Sequence, residues 1–81
     1  MLSIKVLGPG CTNCVRVAEV AQQAVRTLGA EAEVQKVTDI LEITKYRLLA
    51  TPGLVIDEKL VCAGRIPTPA EVTTWIVNAL A

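Results

Sequence analysis

The chain is 81 residues long, enough for one small domain spanning 1–81, and 52% of its residues are hydrophobic. Eight Lys and Arg balance eight Asp and Glu, and only Trp75 and Tyr46 are aromatic, so there is no footprint for nucleic acid or an anionic membrane surface. Histidine is absent, which excludes Ser–His and Cys–His catalysis and mixed Cys/His zinc sites.

Leu2 to Leu7 reads as a short buried strand, ended by the Gly8-Pro9-Gly10 breaker. A helix follows. Cys14, Val17, Ala18, Ala21, Ala24, Val25 and Leu28 recur at helical spacing and form one apolar stripe, opposite Arg16, Glu19, Gln23 and Arg26. Gly29 is the expected stop. Glu33 to Val37 reads as a second strand. Asp39 with Glu42 three residues on is a capping-box-like start for a second helix, roughly Ile40 to Leu48, which Thr51-Pro52-Gly53 breaks. Leu54-Val55-Ile56 and Leu60-Val61-Cys62-Ala63 are two further strands, joined as a hairpin across Asp57-Glu58-Lys59. Gly64 ends that hairpin. Thr68 as N-cap, Pro69 at the first helical position and Glu71 closing a capping box start the last helix, with Val72, Trp75, Ile76, Ala79 and Leu80 as its buried stripe.

The order β-α-β-α-β-β-α predicts an α/β domain. Strands alternating with helices pair in parallel, the final hairpin adds antiparallel strands, and the product is a mixed four-stranded sheet with helices on both faces. No stretch approaches the ~20 apolar residues of a membrane span, and the first residues are too short and too charged for a secretory signal. An odd count of three cysteines argues against a disulfide-stapled secreted domain, so the expected compartment is the cytoplasm.

Chemistry concentrates at Gly10-Cys11-Thr12-Asn13-Cys14. The turn delivers Cys11 to the mouth of the first helix and puts Cys14 one turn inside, so the two sulfurs can approach disulfide distance. First-turn N–H groups without intrahelical partners favour a thiolate at Cys11. Cys14 belongs to the buried stripe. Cys11 is then the attacking thiol and Cys14 the resolving one. Two other uses of the pair stay open on these residues: a metal-carrying module for Cu(I) or zinc, and a binding domain whose thiols are inert. Cys62 reads as a core residue and Arg65 as a solvated loop charge.

Strand, turn, Cys-x-x-Cys, helix, then Thr51-Pro52 before a strand resembles the thioredoxin-like proteins over essentially the whole domain. It is most similar to their small archaeal and bacterial redox-active disulfide members, glutaredoxin-like in size. Gly10 to Cys14, Thr51-Pro52-Gly53-Leu54 and Gly64-Arg65 carry the resemblance. The family implies a three-layer thioredoxin-like sandwich and a thiol–disulfide oxidoreductase. It implies a cis-proline at Pro52, with Thr51 offering backbone hydrogen bonds, and substrate contacts from Gly10, Thr12 and Asn13. No cofactor is implied beyond a redox-active Cys11–Cys14 disulfide. The implied partners are a disulfide-containing protein or small molecule and an upstream reductase or low-molecular-weight thiol. Three departures stand out. No tryptophan precedes Cys11, Thr12-Asn13 replaces the usual Gly-Pro, and Lys5 stands where thioredoxins carry a buried carboxylate in the strand before the motif.

Overall fold

In the computed structural model, which describes residues 2–10, 12–46 and 50–80, seven elements follow one another in the expected order. They are β1 (Leu2–Leu7), α1 (Thr12–Leu28), β2 (Ala32–Val37), α2 (Ile40–Thr44), β3 (Gly53–Ile56), β4 (Lys59–Ala63) and α3 (Pro69–Leu80). The sheet runs β2-β1-β3-β4. β1 pairs in parallel with β2, Leu2 opposite Ala32 and Leu7 opposite Val37. β3 is antiparallel to both β1 and β4, with Leu7 opposite Gly53 and Ile4 opposite Ile56. The sheet is therefore mixed, but not wholly as expected: the α1 crossover returns β2 parallel to β1 and the tight turn returns β4 antiparallel to β3, whereas β3, although it follows a helix, runs antiparallel to β1 rather than parallel to it.

Period-two alternation along β1 assigns residues to the two faces of the sheet. Leu2, Ile4 and Val6 join Val17, Ala18, Ala21 and Ala24 of α1 and Val72 and Ile76 of α3 in one buried cluster. The intervening Leu7 packs with Val55 and with Ile43 of α2 in a second, smaller cluster on the other face. The result is the three-layer sandwich that the sequence predicts, with α1 and α3 on one side and α2 on the other. The alanine-rich stripe of α1 has a direct consequence. Small side chains let a long helix lie close to the sheet, and the aliphatic residues of β1 and β3 fill the space between.

The ends of the elements are chemically defined. α1 closes through the N–H of Gly29 donating to the Arg26 carbonyl and that of Ala30 to the Val25 carbonyl, both at 3.2 Å, the paired bonds of a Schellman stop. α3 opens on a reciprocal capping box. The Glu71 N–H donates to Thr68 Oγ1 (3.2 Å), and the Thr68 N–H donates to Glu71 Oε1 (3.1 Å). Arg65 is not a free loop charge: its guanidinium forks onto both Glu71 oxygens at 2.9 and 2.7 Å. This guanidinium, ahead of the cap bond from Thr68, holds the Glu71 carboxyl down at about 2.

Four further expectations need correction. α2 is shorter than Ile40 to Leu48: it ends at Thr44, and residues 47 and 48 lie outside the described residues. The N–H groups of Lys45 and Tyr46 donate to the Glu42 and Ile43 carbonyls three residues back, and the Thr44 hydroxyl donates to the Leu41 carbonyl, so the last turn tightens and closes. Asp39 caps the helix as expected, accepting from the Leu41 N–H at 2.9 Å, but the Glu42 carboxylate is engaged by Lys45. The hairpin turn is only Asp57-Glu58, both at positive φ (49° and 68°), with Lys59 already paired to Ile56. Leu80 is 55% exposed rather than buried. It is the last residue of α3 and belongs to neither of the two buried clusters.

Candidate functional site

The C-terminal end of β1, the first turn of α1 and the entry to β3 meet at Gly8. This residue is buried, and its N–H donates to the Val37 carbonyl at the end of β2 (3.0 Å). A Cβ at position 8 would overlap the sulfur of Cys14 and lie 3.8 Å from Thr51 Cβ. Gly8 is glycine because the thiol occupies the space a side chain would need. Beyond it, Gly10 has φ +94°, a left-handed conformation that redirects the chain into α1.

Cys14 is 5% exposed, in the first turn of α1 and on the stripe that packs against the sheet. Its neighbours in the motif, Thr12 and Asn13, are exposed. Cys11, read from the sequence as the attacking thiol, lies outside the described residues. On the other side of Gly8, the Thr51–Pro52 bond is cis. Thr51 is exposed, whereas Pro52 is buried and its carbonyl accepts from the Gly64 N–H (2.8 Å), which ties the loop to the end of β4. The fold thus gathers Gly8, Cys14, Thr51 and Pro52 from three separate stretches of chain.

Sequence reasoning passed over Gly8 as part of a generic breaker, and it overlooked Lys36 and Thr38. Those two, with Gly8, Cys14 and Val15, line a cavity of about 170 Å³ beside the thiol. The parallel register that puts Val37 next to Leu7 brings the end of β2 there, and only strand pairing could have revealed it. A larger groove of about 470 Å³, lined by Ile56, Lys59, Val61 and Trp75 among others, lies at the opposite end of the sheet and has no cysteine among its described lining residues.

Lys5 and Cys62 stand apart from the site. Lys5 points to the α2 face, where its ammonium donates to Glu58 Oε1 (2.7 Å) and to Tyr46 Oη (3.0 Å), and Tyr46 in turn donates to Glu58 Oε2 (2.9 Å). These bonds, Glu58 first and Tyr46 second, raise the lysine pKa, and the same bond from Lys5 lowers that of Glu58. The sheet separates this network from the helix bearing Cys14. Cys62 is buried in the α1/α3 core, its thiol 3.7 Å from the Arg65 carbonyl.

A four-stranded mixed sheet between helices, a cysteine buried in the first turn of the first long helix and a cis-proline loop beside it define a thioredoxin-type fold and site. The chain belongs to the thioredoxin domain family, whose model matches residues 2–77. It is 39% identical over 72 residues to a thioredoxin of Methanocaldococcus jannaschii, covering 89% of this chain and 83% of that one. It is 36% identical to a thioredoxin of Methanothermobacter thermautotrophicus over 89% of this chain and 94% of the relative. Among solved structures it superimposes on the germline-specific thioredoxin Deadhead of Drosophila melanogaster with a TM-score of 0.65, at 16% identity over 95% of this chain and 79% of that one. Oxidised thioredoxin of Plasmodium falciparum gives 0.63 at 18% identity, covering 99% and 82%. The two structures speak to the fold. The archaeal relatives carry the activity class, thiol–disulfide oxidoreduction. Among the described residues no helix is long and apolar enough to cross a membrane.

Proposed function

We propose that the chain reduces disulfides through Cys11 and Cys14, with Cys11 attacking and Cys14 resolving. The observation that carries this reading is the seat of Cys14: buried, in the first turn of α1, and fitted against Gly8. A thiol so placed is shielded from bulky disulfides in solution but lies three residues from position 11, within reach of a sulfur there.

The Cys11 thiolate attacks one sulfur of the substrate, a new S–S bond forms, and the first substrate thiolate leaves. Cys14, giving up its proton to solvent or to the departing thiolate, then attacks the Cys11 sulfur. The second substrate thiolate leaves, and two electrons have passed from the protein dithiol to the substrate. The product is a Cys11–Cys14 disulfide, which an upstream reductase or a low-molecular-weight thiol must reduce. No other cofactor enters this cycle. Gly10, Thr12, Asn13, Thr51 and Pro52 surround the point of attack, and Thr51 offers its backbone to an extended substrate. The substrate is a protein or a small disulfide, and the balanced thiol chemistry suits the reducing cytoplasm.

The test is insulin-disulfide reduction with dithiothreitol as the terminal reductant. Cys11→Ser should abolish activity above the dithiothreitol blank, and Cys14→Ser should accumulate mixed disulfides visible on a non-reducing gel. Retained activity in Cys11→Ser would overturn the assignment.

A further inference from the structure

We propose that Lys36, at the end of the edge strand β2, is a specificity-determining residue that favours disulfide substrates carrying a carboxylate beside the sulfur under attack. The proposal rests on the oxidoreductase reading above and adds the chemical class of its substrate.

Three observations converge. First, Lys36 lines the same cavity as Cys14, so a group occupying that cavity sits beside the Cys14 sulfur. At about 170 Å³ it accommodates a short side chain, with Val15, itself 39% exposed, as an apolar wall for methylene groups and Thr38 as a hydroxyl partner. Second, the cation is uncommitted. Lys5, Lys45 and Arg65 are each held by a glutamate, at 2.7, 3.0 and 2.7 Å, whereas Lys36 makes no ion pair with any described residue. Third, no described carboxylate competes for it. The cavity has no acidic lining residue, and the first turn of α1 contains none. The two nearest acids along the chain, Glu33 and Asp39, each three residues away, have an oxygen accepting from Gln35 Nε2 and from the Leu41 N–H respectively. The amino-terminal end of a seventeen-residue helix adds a positive potential at the same place. A carboxylate therefore meets two attractive fields there, and an ammonium group two repulsive ones.

The experiment uses the reduced full chain and three small disulfides: 3,3′-dithiodipropionate with two carboxylates, 2-hydroxyethyl disulfide with none, and cystamine with two ammonium groups. Second-order rates of protein oxidation are read by acid quench, alkylation and mass spectrometry. Each rate is divided by the rate of the same disulfide with dithiothreitol, which removes its intrinsic reactivity. The wild type should prefer the anionic disulfide over the neutral one, and the neutral over the cationic, by about fivefold per step, the scale of one unit-charge pair at a few ångströms in water. Raising the salt should compress that order. Lys36→Glu should reverse it and Lys36→Arg should keep it, each read as the ratio of the charged to the neutral disulfide in the same protein. An unchanged order in Lys36→Glu would overturn the proposal. So would an equal change for all three disulfides, because the lysine would then act on the protein thiols rather than on the substrate. If even the neutral disulfide failed to oxidise the wild type, the oxidoreductase reading would fall, and this proposal with it.

Discussion

The two faces of the sheet are built on different principles. Toward α1 and α3, twelve buried residues from five elements form one apolar cluster among the described residues. Toward α2 the buried cluster is Leu7, Ile43 and Val55, and the rest of that face is held by the Lys5–Tyr46–Glu58 network. Cys14 belongs to the first face. Its position follows from a helix whose inner stripe is buried from Cys14 to Ala24. Lys5 belongs to the second. Its place in the sequence, where thioredoxins carry a buried carboxylate, invites a role in thiol chemistry. Its side chain leaves by the opposite face and finds an acid there instead.

The comparison breaks most visibly in the core. Ile76 is fully buried in the large cluster and Ile43 is 8% exposed in the small one. Ile76→Ala should cost about 4 kcal/mol and Ile43→Ala about 2 kcal/mol by urea denaturation, both within the range for such truncations. Equal losses would mean that the two faces contribute alike.

Gly8→Ala tests the seam between the faces. Its Cβ would overlap the Cys14 sulfur, so the first turn of α1 has to move. A loss of ~2 kcal/mol in stability is expected from the forced displacement. Insulin reduction should fall by ~100-fold, since a misplacement of about an ångström at a reacting centre has that scale. Unaltered turnover would show that the thiol does not need this seat.

On the α2 face, Lys5→Met and Glu58→Gln should each lower the melting temperature by only a small fraction of the Ile76→Ala effect, because the pair is open to solvent. The double variant should lose less than the sum of the two. Disulfide-reduction rates should not change, which would separate this network from the site. A changed rate in Lys5→Met would join the two faces.

The smallest effect concerns the α3 cap. Glu71 has its pKa lowered from the usual 4.5 to about 2 in the fold, by Arg65 first and the Thr68 backbone second. Its contribution is present above pH ~4.5 and is lost as the pH falls through the folded value, because protonation there removes the Arg65 and Thr68 bonds. Wild-type stability should therefore drop between pH 4.5 and 2 more steeply than that of Glu71→Gln, measured as melting temperature against pH. Parallel curves would remove the cap from the account.

What the sequence determined by itself was everything that depends on neighbours along the chain. The stripe from Cys14 to Ala24, the Schellman stop at Gly29, the capping box of Thr68 and Glu71 and the strand edges at Leu7 and Gly64 are all local. Each follows from a repeat, a cap or a missing side chain within a few residues. The Cys11–Cys14 pair was legible for the same reason, being three positions apart on one helix start. Tertiary structure alone decided what depends on partners dozens of residues away. It sent Lys5 to Glu58 and Tyr46. It also brought Thr51 and Lys36 to the thiol from opposite sides. Those outcomes follow from strand register: β2 in parallel and β3 in antiparallel pairing both place their site ends against the end of β1. A register between strands thirty or fifty residues apart leaves no mark in either strand read alone, because each has the same alternation whichever neighbour it meets.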